Sequence, residues 1–443
     1  MNKGFRILFE TYDLHNPQSI LSHATIMQGV ITKPTNCLDF SLQHEQQIEL
    51  IQVTMDKVIS EKAKLLNQDI NECPKCNGKI IKRGTHTSTF HDVFTDHHVK
   101  IQRLSCVNCN YEPPSTVRTM LNSTLSGCLA KVQSELGSDY TFRDGEKILK
   151  IFSAKDREIN NHKRIKEVTK SIGETLVEIG NSEKELLKID EANELIVNVD
   201  GGHVKTTEDQ RSIEALTSVI YRPESLLPNK KDTRNYISSK HCAASVKNDE
   251  QSEIITNTIL AALKQGLTPN TKITALCDGA SNCWRVVEAL RPLSGGMTCI
   301  LDWFHISMKM QNISLPEKLK IKFLRVKWHL WRGNTEAAIT RIQQLIKAAK
   351  STGAIDKLKK FELYIQNNLA RIINYSERKK KGLIFTSNLA ESTVESLINQ
   401  RCKGQQHMRW SREGLNPILQ LRAIINTIEW KNKWKTAVLN SVL

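Results

Sequence analysis

Two hydrophobic rhythms alternate along this chain. In SLQHEQQIELIQVTMDKVISEKAKLLN (41–67), Ile48, Ile51, Met55, Val58 and Ile59 recur at helical spacing, so 1–67 is expected to be an N-terminal helical region. KIIKRG (79–84) and HVKIQRLS (98–105) instead alternate as two strands. After Pro113 and Pro114 the helical period returns. FRDGEKILKIFSAKDREINNHKRIKEVTKSI (142–172) predicts two short helices joined by a polar turn, and ETLVEIGNSEKELL (174–187) a further helix.

From residue 194 the order changes. Apolar runs predict strands at 194–200, 212–221 and 234–246, with links short enough for an antiparallel meander. A helix at 250–265 follows, then a strand (TKITALCDG), a helix (SNCWRVVEAL) and a strand (TCILDWFHI). Three antiparallel strands followed by alternating helix and strand make an α/β fold, a mixed sheet with helices on its faces. Residues 306–380 read as almost wholly helical and lysine-rich, with Trp328, His329 and Trp331 as core aromatics; TSNLAESTVESLINQ is a last helix. The expected divisions are 1–67, 68–114, 115–190, 191–305, 306–384 and 385–443.

Composition adds a partner. Sixty-three Lys and Arg against 47 Asp and Glu give a formal charge of +16, which attracts polyanions, nucleic acid first. No run of 18 apolar residues occurs and the first residues lack a secretory h-region, so a soluble intracellular protein is expected. Lys163 and Arg164 open the second helix of 142–172, where a helix-turn-helix-like element would meet DNA. RCKGQQHMRWSR (401–412) interleaves Arg401, Lys403, Arg409 and Arg412 with Trp410, a mixture suited to a nucleic-acid backbone and an unpaired base.

Of eleven cysteines, four stand apart. CPKC (73–76) and CVNC (106–109) supply four thiolates in two tight turns, the donor set of a structural zinc site. With the flanking strands, Cys73, Cys76, Cys106 and Cys109 predict a zinc ribbon over 68–114. Lys82, Arg83, Lys100 and Arg103 make it basic, for contact with DNA or with another protein.

The acids fall where strands stop. NELIVNVDGGHVK carries an apolar run into Asp200-Gly201, and KITALC runs into Asp278-Gly279. If the two strands are neighbours, these carboxylates lie side by side, and like charges so close are tolerated best around a divalent cation. Glu391 in the last helix is the best-placed third acid, with Glu395 one turn later as its rival. Three carboxylates suit magnesium or manganese, and a two-ion site suits phosphodiester chemistry. Asp302 and His305 in LDWFHI are three apart at a strand-to-helix junction. There the histidine would bond the acid or reach a phosphate, and Asp302 is itself a candidate ligand.

At these residues the chain resembles a known family. VNVDGGHV, LCDGASNCW, LDWFHI and SNLAESTVESLINQR together look like the bacterial ISKra-type insertion-sequence transposases, relatives of the Mutator-like transposases, over about 40–430. The resemblance implies an RNase H-like catalytic domain of the DDE class with an α-helical insertion. It assigns Asp200, Asp278 and Glu391 as the catalytic, Mg²⁺- or Mn²⁺-binding triad, with Asp302 and His305 as supporting residues. It also implies double-stranded DNA, as element ends and target, for a partner, at least a dimer on that DNA, and a bacterial cytoplasmic location. The helix motif reads TSNLAE here, with Ser387 in its second place as the one minor departure. Two other readings stay open: a non-catalytic zinc-ribbon DNA-binding protein on a retired transposase fold, and a structure-specific nuclease that cuts without joining.

Overall fold

The structure is a computed structural model describing residues 3–66, 71–121, 123–182, 189–228, 235–388, 392–393, 395–403, 408–427 and 429–443. The chain divides into two compact units, Met1–Ser171 with Val438–Leu443, and Ile172–Ala437.

The first unit opens differently from the expectation of helix across 1–67. Strands β1 (Lys3–Asp13) and β2 (Asn16–Ile31) form a long antiparallel hairpin, and only α1 (His44–Leu66) is the expected helix. Most hairpin positions are exposed and only Ile26 of the hairpin is buried, so the inward face is slight and its imprint on the sequence weak. Strands β3 (Ile80–His91) and β4 (Asp96–Cys106) pair antiparallel, and α1 packs its Ala63 beside Val99 and Ile101 of β4. Three short helices follow, α2 (Thr116–Met120), α3 (Gly127–Asp139) and α4 (Phe142–Phe152), each N-capped by the side chain of Ser115, Ser126 or Thr141.

Next comes α5 (His162–Ser182), one helix where a break near 173 was expected. Gly173, between the two expected helices, is a packing glycine: a β-carbon there would lie 2.2 Å from the Pro417 carbonyl oxygen. The rest of the expected helix, 183–187, lies outside the described residues.

The second unit is built on a five-stranded mixed sheet in the order β11-β10-β5-β6-β9. Its strands are β5 (Glu194–Lys205), β6 (Ser212–Tyr221), β9 (His241–Ser245), β10 (Lys272–Cys277) and β11 (Gly296–Leu301). The strand expected at 234–246 is interrupted: Asn235–Ile237 (β8) pairs with Leu226–Pro228 (β7) in a ribbon of its own, and only β9 joins the sheet. β5, β6 and β9 run antiparallel, while β10 and β11 lie parallel to β5. Parallel strands are covered on both faces, which matches the unbroken apolar runs of β5 and β10.

Helices α6 (Ser252–Lys264) and α7 (Ser281–Glu288) connect β9 to β10 and β10 to β11, and α8 (Trp303–Gln311) follows β11. The lysine-rich stretch folds as α9 (Glu317–Trp331), α10 (Thr335–Ala348), α11 (Thr352–Asn367) and α12 (Tyr375–Lys380). Phe323, Leu330, Ile342 and Phe361 of these helices belong to the same core as Val197 and Ala275 of the sheet. The inserted helices are therefore fused to the sheet through one hydrophobic interior.

Candidate active site and metal centre

Three acids occupy one row across the sheet. The parallel register pairs Cys277 with Val199 and Leu301 with Cys277, so the next residue on each strand is Asp200, Asp278 and Asp302. The Asp302 amide donates to the Cys277 carbonyl at 2.9 Å, which carries the row beyond β11 itself. β5 does not stop at Asp200 as expected; it loses its neighbour β10 there but stays paired with β6 as far as Lys205.

The two glycines after Asp200 have structural occupants. A β-carbon on Gly201 would lie 2.7 Å from a Glu214 carboxylate oxygen, and one on Gly202 would meet Ile398 at 3.1 Å and the Lys403 ammonium at 3.4 Å. The missing side chains thus let the last segment of the unit close over β5.

Charge in the row is poorly compensated. Burial, the largest influence, raises the Asp200 carboxyl above its usual range, and Asp278 and Asp302 push in the same direction. The nearby His305 and the Gly201 amide oppose them. Asp200 accepts that Gly201 N–H at 2.8 Å, and Asp278 accepts the Ala280 N–H at 2.8 Å. Among the described residues no Lys or Arg forms an ion pair with either carboxylate. Half-buried acids without such partners are the donor chemistry a hard divalent cation would satisfy.

Asp302 differs from its two neighbours. It is 1% exposed, and its carboxylate accepts the Phe304 N–H at 3.0 Å, the Ser387 N–H at 3.1 Å and the Ser387 hydroxyl. His305 Nε2 lies 3.7 Å from the same group. Asp302 therefore caps α8 and ties residue 387 to the row, with its lone pairs largely used by protein donors. Thr386, Ser387 and Asn388 are candidate helix caps by sequence; among the described residues the Ser387 hydroxyl bonds Asp302, and Thr386 bonds Asn388 at 3.0 Å. Glu391 lies outside the described residues. Its rival Glu395 is exposed and bonded to Asn399 on a turn of π-helix.

Other residues brace the row without any sequence signal for that role. The Tyr364 hydroxyl donates to the Asp278 carbonyl at 2.8 Å, and the Tyr375 hydroxyl to the Leu301 carbonyl at 2.7 Å. Asn368 accepts the Trp284 indole N–H at 2.9 Å and donates to the Gly279 carbonyl at 3.4 Å. The inserted helices thus hold the backbone at the ends of β10 and β11.

The four expected cysteines converge in the first unit. Their sulfurs all lie within 4.8 Å of one another, with Cys73 3.7 Å from Cys109 and Cys76 3.4 Å from both Cys106 and Cys109. A tetrahedral zinc with bonds of about 2.3 Å separates its sulfurs by about 3.8 Å, whereas a disulfide would bring two to about 2.05 Å. Amides of Lys75 and Asn108 point at Cys73 and Cys106, and Asn77 and Asn110 adopt positive φ to close each knuckle. The Cys109 amide leads the influences that bring the Cys106 thiol down to about 6, although burial opposes them. This donor set could hold a metal such as zinc.

The expected DNA contacts separate into two groups. Arg401 is 1% exposed, with its guanidinium 4.9 Å above the Trp410 ring, and Trp410 is buried too. Arg412 is pinned by Glu208 and by the Val246 carbonyl at 2.6 Å. Arg401 and Trp410 are thus interior fastenings, a correction to the sequence reading of them as an open contact surface, and Arg412 is half-buried with its guanidinium engaged. Lys403, Arg409 and Lys163 are exposed, while Arg164 is half-buried and 3.3 Å from Glu167. Neighbouring Asn160 is buried against Gln133, and His162 Nδ1 is bonded to Glu146 at 2.8 Å.

Among the described residues no helix is long and apolar enough to cross a membrane. In comparisons with known proteins, no protein-family model and no curated protein sequence matches this chain.

Proposed function

We propose that this chain is a DDE-type DNA transposase, similar to the ISKra-type insertion-sequence enzymes, with an RNase H-like catalytic unit and an N-terminal zinc ribbon. The observation that carries the reading is the register of β5 and β10, which sets Asp200 beside Asp278 at the point where the parallel pairing ends. The sheet order, three antiparallel strands continued by two parallel ones, supports the RNase H-like part. The Cys₄ cluster, with the exposed cations Lys82 and Arg103 on the strands that join its two knuckles, supports a DNA-contacting ribbon.

On this reading Asp200, Asp278 and Glu391 hold two Mg²⁺ or Mn²⁺ ions at a scissile phosphate. Bound there, the ions would activate the attacking oxygen and stabilise the leaving one. The chain's own contribution is position. Tyr364 and Asn368 fix the Asp278 turn, and Asp302 with Ser387 draws in the segment that leads to Glu391. Two displacements follow at phosphorus. Water attacks the element end and leaves a 3′-hydroxyl and a 5′-phosphate. That 3′-hydroxyl then attacks a target phosphodiester, forming one P–O bond as the target's own 3′-oxygen leaves. Synapsis of two ends calls for at least a dimer.

The test is strand cleavage and joining with Mg²⁺ or Mn²⁺ on duplexes made from the DNA flanking this gene. Wild type is run beside folded Asp278→Asn and Glu391→Gln. Cleavage to a 3′-hydroxyl followed by joining, lost in both variants, is expected. Cutting without joining favours the nuclease, and binding without cutting the non-catalytic protein. Variants as active as wild type would remove the triad.

A further inference from the structure

We infer that a groove at the far end of β5 is a second DNA site, binding the phosphodiester backbone of a duplex through Lys205, Arg211 and Arg409. This rests on the reading above that the chain acts on DNA.

The groove holds about 520 Å³, and every residue lining it is polar or charged. Its construction is specific. Lys205 and Ser212 are register partners, so residues 206–211 form the turn that closes the β5–β6 hairpin. The segment around Trp410 lies along the end of β5. Its amide donates to the Lys205 carbonyl at 3.0 Å, and its carbonyl accepts the Thr207 amide at 3.1 Å and the Thr206 hydroxyl at 2.7 Å. That pairing, anchored by the buried Trp410 under Arg401, puts Arg409 on the wall of the same groove as Lys205 and Arg211.

The electrostatics point to an anion. The acid in the lining, Glu208, is already engaged: it accepts the Arg412 amide at 2.7 Å and faces the Arg412 guanidinium at 3.3 Å. Lys205, Arg211 and Arg409 are exposed and have no acidic partner among the described residues. Three open cations with the hydroxyls of Thr207 and Ser212 suit phosphate oxygens. The lining includes no Trp, Tyr or Phe, the rings on which single-stranded bases stack best, and its cations suit the phosphates of a duplex backbone.

Position links the groove to the acid row. β5 runs unbroken from Asp200 to Lys205, about 17 Å at about 3.3 Å per residue. Phosphates of one B-form strand recur about every 3.4 Å along the axis. A duplex lying along β5 with a phosphate at Asp200 would meet the groove no more than about five nucleotides away.

The experiment measures binding of the full chain to a fluorescent duplex across a KCl series, without divalent metal. Wild type is compared with Lys205→Ala/Arg211→Ala and with Lys359→Ala/Lys360→Ala, which removes equal charge from the exposed face of α11. Losing two phosphate contacts lowers the slope of log affinity against log salt by about 1.8. That drop is expected in the first variant and not in the second. A wild-type slope in the first variant, an equal drop in both, or a drop seen only with single-stranded DNA overturns the groove. In those cases metal-dependent cleavage by the same variant leaves the proposed function standing. A wild-type chain that binds no duplex overturns both.

Discussion

Replacing Ser387 by alanine isolates the tie between Asp302 and the last segment. The hydroxyl donates to a carboxylate that is 1% exposed, and a hydrogen bond to a buried charged group contributes about 1.5–3 kcal/mol. The Ser387 amide and the Phe304 amide still reach Asp302 in the variant, so the carboxylate is not stripped bare and the lower half of that range applies. A loss of about 2 kcal/mol should lower the melting temperature of a unit this size by about 4–8 °C. The assay is convenient because all seven tryptophans fall within Ile172–Ala437, so tryptophan fluorescence reports this unit alone. Thr386→Ala, which among the described residues loses only the contact to Asn388, serves as control and should cost under about 0.5 kcal/mol. If Ser387→Ala melts with wild type, the hydroxyl does not satisfy Asp302, and the positioning role given to that pair fails.

Three further outcomes follow from the same geometry. The chain should purify with one equivalent of zinc by elemental mass spectrometry. Cys106→Ser should abolish it and unfold the 71–111 module, since structural zinc contributes on the order of 10 kcal/mol to such folds; a metal-free, folded wild type would refute the site. The raised Asp200 carboxyl contributes stability below its unfolded value of about 3.9 that is lost as pH rises through its folded value. Asp200→Asn should therefore stabilise the metal-free chain at pH 8 and weaken the melting shift caused by Mg²⁺, and an unchanged shift would count against this acid as a ligand. Trp331→Ala should cost about 3 kcal/mol or more, because the ring packs on Trp303 at 4.7 Å and stacks on Tyr375 at 6.0 Å. Trp328→Ala, 60% exposed, should stay within about 0.5 kcal/mol in denaturant titrations.

Much of this was legible in the residues because the informative features are local. Each C-x-x-C pair is its own knuckle, and the runs before Asp200 and Asp278 are buried on both faces, so they show without knowledge of their neighbours. What stayed hidden depends on partners far away in the chain. Nothing near Ser387 in the chain announces its bond to Asp302, 85 positions earlier. Arg401 looks like a DNA contact until Trp410 and β5 enclose it. The hairpin of β1 and β2 escaped for the opposite reason: with little of it buried, its apolar signal is weak. Gly173 serves close packing within a helix, which its letter alone does not show.

The row of acids has a consequence for how the chain tolerates change. Because successive side chains on a strand face opposite ways, the row is a matter of phase, and phase responds to length more sharply than to chemistry. Insertions in 246–251 or 289–295 alter loops and leave the phase intact. One added residue between Lys272 and Cys277 would turn Asp278 to the other side of the sheet while preserving every residue type in the motif. Exchange of one apolar residue for another within β10 should thus be far better tolerated than a single-residue insertion there. A length-variant library of that strand would carry more information about the site than a substitution scan.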